Sequence, residues 1–202
     1  MLRHQVHISE QTKLSVTRTR ANKPCFALGT HILTTTGDHL VQDLKVGDLV
    51  ETLDHGAQPI RAMGVRRFEA LGDDAPIRFK TGTLNNERDL CVTAGHRIRF
   101  AVWQADLLFG EWEVLVAARD FVNDVDVTRD VGGMVRYAYL GFDDDHSIFA
   151  ERVPVESSQL VALAASAAAS NDKLAFPPLP DHEVQVLLRS YTKAKEPAKP
   201  TA

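Results

Sequence analysis

No apolar run in this sequence is long enough to cross a membrane. The best candidate, Leu160 to Ala169, is about half of the ~20 residues a spanning helix needs, and Ser166 interrupts it. A secretory signal is missing as well, because Met1-Leu2-Arg3-His4-Gln5-Val6-His7 contains no apolar core. These absences predict no membrane partner and a cytoplasmic location, with non-classical secretion left open. Cysteine is scarce too. Cys25 and Cys91 are the only two among 202 residues, too few for a disulfide framework. A reduced environment is the simplest assumption, although a Cys25–Cys91 bridge stays open. No C-x-x-C or H-x-x-H spacing suggests zinc, so no metal or cofactor is called for. A basic excess is also lacking. The net charge of −4 argues against general nucleic-acid binding, which needs cations facing phosphates. Residues 1–24 are the exception, with Arg3, Lys13, Arg18, Arg20 and Lys23 against Glu10 alone. They are expected to form a flexible, solvated basic leader.

The remainder reads as one soluble core with a small appendage. From residue 25 to about residue 160 the texture is β: short runs of Val, Ile, Leu and Thr broken by turn residues. Thr30–Thr35 runs into Thr36-Gly37-Asp38, a hairpin signal, and His39–Val41 returns. Leu44-Lys45-Val46-Gly47-Asp48 makes a second turn before Leu49–Leu53. Gln58 to Phe68 reads as one long strand with a glycine kink. Further strands are expected at Ile77–Lys80, Arg97–Val102 and Met134–Leu140. Residues 103–120 are ambiguous, with Glu113–Asp120 read as a strand followed by one helical turn. Turns recur about every ten residues, which favours a mainly β unit over alternating β and α. Residues 161–192 form a helical C-terminal extension. In it the Ala-rich stretch Ser158–Ser170 is helix-prone, and Asp181 caps a helix from His182 to Thr192. Val184, Leu187, Leu188 and Tyr191 share one face of that helix, which makes it a candidate docking element for a protein partner. Residues 193–202 are expected to be disordered.

Cys25 opens the β region, and Thr93-Ala94-Gly95-His96 follows much later. A thiol ionises far more readily than a hydroxyl, so cysteine suits attack on an amide carbonyl. Attack by Cys25 on its own preceding peptide bond, Pro24–Cys25, would give an N-to-S acyl shift. The site must then protonate the departing amine and stabilise the oxyanion. A histidine facing the amide nitrogen supplies the proton, and a threonine hydroxyl holds the histidine or the carbonyl oxygen. The substrate is the chain's own N-terminal segment, and water or a small nucleophile resolves the thioester. Each residue also has an ordinary explanation: a buried core thiol, a backbone-bonded histidine, a strand threonine.

The order of these motifs is similar to that of a known family. Cys25-Phe26-x-x-Gly29-Thr30-x-Ile32-x-Thr34, Gly37, Val41-Gln42-Asp43-Leu44-x-x-Gly47-Asp48-x-Val50-x-Thr52-x-Asp54 and Gln58-Pro59-Ile60-Arg61 resemble the bacterial Hint (hedgehog/intein) domain. So do Thr93-Ala94-Gly95-His96-Arg97, Phe142 to Glu151, and Glu156-Ser157. The resemblance implies a horseshoe-like, nearly all-β fold. It implies Cys25 as nucleophile, Thr93 and His96 as the pair activating the scissile bond, and a supporting acid/base role for His146. Inteins end in Asn followed by Cys, Ser or Thr, whereas here the β region ends at Glu156-Ser157-Ser158-Gln159. Splicing is therefore not implied, only cleavage or acyl transfer. The competing expectation is a chemically silent module of the same fold that binds or assembles.

Overall fold

A computed structural model describes residues 23–159 and 181–195. The expected leader up to residue 22, most of the Ala-rich stretch with the proline-rich segment after it, and the tail beyond residue 195 lie outside the described residues. In chain order the strands begin with β1 (Phe26–Ala27), β2 (His31–Thr34), β3 (Gly37–Leu40), β4 (Leu49–Thr52) and β5 (Gly56–Pro59). They continue with β6 (Ala62–Glu69), β7 (Ile77–Phe79), β8 (Leu90–Val92), β9 (Arg97–Ala101) and β10 (Glu113–Ala117). The last are β11 (Val127–Arg129), β12 (Met134–Phe142), β13 (Ser147–Ala150), β14 (Val153–Glu156) and β15 (Ser158–Gln159). Two helices, α1 (Trp103–Phe109) and α2 (Asp181–Lys195), complete the set. The chain is mostly β, as its turn spacing predicts.

The strands form two sheets. The first is ordered β11-β7-β8-β1-β12-β15, with β6 also on β12. The second runs β10-β9-β14-β13-β2-β4-β5, with β3 on β2. Alternation explains the pairing. In β2, Ile32 and Thr34 are buried while His31 and Leu33 are only partly so, which turns one face inward. One hydrophobic core draws on both sheets: Phe26, Ile77, Phe79 and Val92 from the first, Ile32, Val50, Ile98, Ile148 and Val155 from the second. Each such side chain stabilises the fold by about 1.5–3 kcal/mol on burial. From α2, Val184 and Leu187 enter this core, with Leu188 and Tyr191 packed partly against it. The apolar face expected of this helix is thus turned towards the sheets. Tyr191 meets Phe100 edge-on at 4.9 Å.

Three local expectations change. The single strand expected from Gln58 to Phe68 is two strands in different sheets, since β5 pairs with β4 and β6 with β12. The chain crosses over at Ile60 and Arg61, whose N–H groups bond to Asp48 O (2.9 Å) and Gly141 O (2.8 Å) respectively. Pro59, with no N–H, cannot extend the β5 ladder. Ser158 and Gln159 form β15, parallel to β12, instead of starting a helix, because Gly141 and Phe142 offer a strand edge. α2 starts at Asp181 and continues to Lys195, so residues 193–195, expected in the disordered tail, are helical. The ambiguous stretch resolves into α1, stopped by Gly110 in the left-handed region (φ 72°), then β10 and a short 3-10 turn at Ala118–Phe121.

Glu151 gains a physical account. Glu151 and Arg152 form the two-residue turn between β13 and β14 with φ of 47° and 71°, a costly conformation for side-chain-bearing residues. The buried Glu151 carboxylate accepts from the His31 backbone N–H (2.7 Å) and pairs with Arg88 (3.0 Å). The turn is thereby fastened to the start of β2, close in sequence to the Cys25 strand.

Gly64 is not a kink. It sits opposite Tyr139 on β12, and a Cβ there would come within 2.7 Å of the tyrosine ring. Gly64→Val is expected to destabilise the fold by about 1–3 kcal/mol in urea unfolding, with the loss largely recovered in the Gly64→Val, Tyr139→Ala double variant.

Candidate functional site

β1 lies between β8 and β12 in the middle of the first sheet, with Phe26 opposite Val92 on one side and Ala138 on the other. Cys25 is therefore presented at the head of a central strand, beside Thr93 at the end of β8. The ladder ends there for a definite reason. The Thr93 carbonyl is turned to His96, accepting the His96 N–H at 3.0 Å, and does not pair with β1. The Thr93 hydroxyl takes its place. Oγ1 accepts the Cys25 N–H at 3.2 Å and donates to the Lys23 carbonyl at 2.7 Å, while the Thr93 N–H donates to the Cys25 carbonyl at 3.1 Å. One residue thus grips the backbone on both sides of Pro24–Cys25.

His96 is fully buried against Phe26, whose ring centroid is 4.7 Å away. Its Nδ1 lies 3.1 Å from the Cys25 carbonyl oxygen, and its Nε2 lies 3.0 Å from the Glu156 carbonyl oxygen. The expected histidine–amide contact is therefore replaced. Thr93 meets the Cys25 amide nitrogen, and His96 meets the Cys25 carbonyl, in the following peptide. The turn dictates this, because it brings the imidazole in behind β1 while Thr93 stays opposite Cys25. Two carbonyls favour an imidazolium, since a neutral ring has one N–H for two acceptors. Burial opposes the charge and prevails, holding His96 down at about 4 despite both carbonyls. The Cys25 thiol is part-buried, and burial pushes it up to about 12 against the pull of the Arg66 and Lys23 charges. Both groups are neutral near pH 7.

His146 stands apart from this cluster. Its backbone N–H donates to Ser157 Oγ at 3.0 Å, and its ring meets His55 at 5.2 Å and Phe142 at 5.8 Å. Burial, then the neighbouring His55, lowers its pKa, and Nδ1 is buried with no partner among the described residues. No hydrogen bond or ring contact joins His146 to Cys25, Thr93 or His96 among the described residues. Cys91 is a second free thiol on β8, opposite Arg78, with burial pushing it up to about 11. No group of His, Cys, Asp and Glu able to hold a metal occurs among the described residues.

Two residues take a place at the site that sequence reasoning did not assign them. Glu156 contributes its backbone oxygen to His96, while its carboxylate pairs with Arg97 at 3.3 Å. Ser158 brings Oγ to 3.5 Å from the Pro24 carbonyl oxygen. A backbone acceptor leaves no mark in sequence, and Ser158 looks like part of a helix-prone run.

Residues 24–162 match the family model of the Hint domain. The chain belongs to the Hint domain family. Among curated proteins none matches it. Two solved structures illustrate the range of similar chains. A bacterial intein-like domain from Clostridium thermocellum is 16% identical, with 66% of this chain and 98% of that one covered and a TM-score of 0.45. A DnaB intein from Synechocystis sp. PCC 6803 is 12% identical, with 67% and 99% covered and a TM-score of 0.46. Membership places this Hint domain in a self-processing family. No helix among its described residues is long and apolar enough to cross a membrane.

Burial of a neutral His96 couples protons to stability. Its folded pKa, about 4, lies below the unfolded value of about 6.5, so the unfolded state binds more protons between those pH values. The contribution is complete above pH 6.5 and is lost as pH falls towards 4, by up to about 1.4 kcal/mol per pH unit. Urea titrations from pH 7 to pH 4 are expected to show this loss in the wild type and a shallower slope in His96→Gln.

Proposed function

We propose that this Hint domain processes its own backbone at Pro24–Cys25. Cys25 Sγ attacks the Pro24 carbonyl carbon, a C–S bond forms, the C–N bond breaks, and the thiol proton ends on the freed Cys25 amine. The residues up to Pro24 are then held as a thioester. Water or a small thiol resolves it by cleavage or acyl transfer, with no ligation step, because the β region ends at Glu156-Ser157-Ser158-Gln159 and not in the Asn followed by Cys, Ser or Thr that completes splicing in inteins. The observation that carries this reading is the grip of Thr93 on the scissile unit. Its hydroxyl faces the leaving nitrogen and the Lys23 carbonyl together. Thr93 is the positioning group for the leaving nitrogen, His96 acts through the adjoining Cys25 carbonyl, and His146 is left to support the fold around Ser157.

A second reading, a silent Hint module that binds or assembles, is favoured by two observations. The Cys25 thiol is held protonated by burial, and His96 contacts the Cys25 carbonyl rather than the scissile nitrogen. The two readings separate in one experiment. Intact-mass spectrometry with hydroxylamine is expected to show loss of the residues up to Pro24, and none in Cys25→Ala. Because the thiol is protonated below about pH 12, the rate is expected to rise about tenfold per pH unit from 7 to 9. An unchanged mass after days across that range decides for the silent module.

A further inference from the structure

We propose that Ser158 is the oxyanion donor of this site, its hydroxyl hydrogen-bonding the Pro24 carbonyl oxygen as charge builds there during attack by Cys25. The assignment rests on the acyl-shift reading above and adds a residue to it.

The argument is an accounting of the backbone groups around the scissile bond. The Lys23 carbonyl takes the Thr93 hydroxyl proton, the Cys25 N–H goes to Thr93 Oγ1, and the Cys25 carbonyl is met by Thr93 N–H and His96 Nδ1. The group left over is the Pro24 carbonyl, the one that becomes an oxyanion. Thr93 has already committed its proton, and both His96 ring nitrogens face other carbonyls, those of Cys25 and Glu156. Among the described residues, the side chain that reaches the Pro24 oxygen is Ser158, at 3.5 Å.

The fold explains its aim. β15 runs parallel to β12 with Ser158 opposite Gly141, which draws the end of the β region across the site. Successive side chains of an extended segment face opposite ways. Ser157 turns its hydroxyl to the His146 N–H, so Ser158 turns to the other side, where Pro24 lies. Ser158 is only 7% exposed, so bulk water competes poorly for its proton.

The 3.5 Å separation is long for a ground-state hydrogen bond between oxygens. It suits an oxyanion donor, because the useful contact is the one made to the tetrahedral adduct rather than to the planar amide. As the carbon pyramidalises and charge gathers on oxygen, an O–H···O⁻ contact closes to about 2.5–2.7 Å. The contact is then stronger in the transition state than in the resting chain, which is the condition for speeding the step.

The test uses the full chain and three measurements: the rate of hydroxylamine cleavage, the rate of Cys25 alkylation by iodoacetamide, and the melting temperature. Ser158→Ala is expected to cleave about 100-fold more slowly while alkylation and melting stay at wild-type values. Ser158→Thr, which keeps the hydroxyl, is expected to recover most of the rate. Wild-type cleavage in Ser158→Ala overturns the assignment and leaves the acyl-shift reading standing. Parallel losses of cleavage, alkylation and melting temperature overturn it in favour of a structural serine. A wild-type chain that does not cleave overturns the acyl-shift reading, and the oxyanion role with it.

Discussion

The site depends on one substitution within a β-ladder: a threonine hydroxyl standing where a backbone carbonyl would normally be. Thr93 spends its carbonyl on the turn to His96, and its Oγ1 then becomes the acceptor for the Cys25 N–H. Because a hydroxyl also donates, the same atom reaches the Lys23 carbonyl, which a backbone carbonyl could not do. The strand thus delivers Cys25 into the sheet while the peptide bond before it is held from the side. The position of His96 follows from that turn, which leads from β8 into β9.

Burial sets the electrostatic state of this arrangement. It raises the Cys25 thiol and lowers His96, so both are neutral in a site built from backbone contacts. A pre-ionised thiolate next to an imidazolium would give faster attack, but at the cost of two charges in the core. The neutral pair instead keeps the core intact, with His96 packed on Phe26. In the proposed acyl shift, reactivity would rest on geometry and on charge stabilised as it forms, rather than on charge held in advance.

Much of this was legible in the sequence where local chemistry dictates structure. Turn residues and alternation gave the β character, the return after Thr36-Gly37-Asp38, the strand and helical turn within Glu113–Asp120, and the shared apolar face of α2, although that face packs on this chain's own core where the sequence suggested a partner. The ordered motifs brought Cys25, Thr93 and His96 into one neighbourhood. What stayed hidden was set by partners distant in sequence. The break at Ile60 depends on hydrogen bonds to Asp48 and Gly141, and β15 forms because β12 offers it an edge. The exchange of places between Thr93 and His96 reflects a backbone carbonyl turned to the His96 N–H, which no side-chain pattern records. His146 matched the family's spacing, yet its ring packs on His55 and Phe142.

The central claim is that the Thr93 hydroxyl holds the scissile peptide ready for Cys25. Thr93→Val keeps the shape and removes the hydroxyl, so its hydroxylamine-driven cleavage rate, measured on folded protein beside the wild type, tests the claim most directly. The account predicts a fall of about 100-fold or more, with faster hydrogen exchange at the Cys25 amide. Cleavage at the wild-type rate with the Cys25 amide still protected would contradict it.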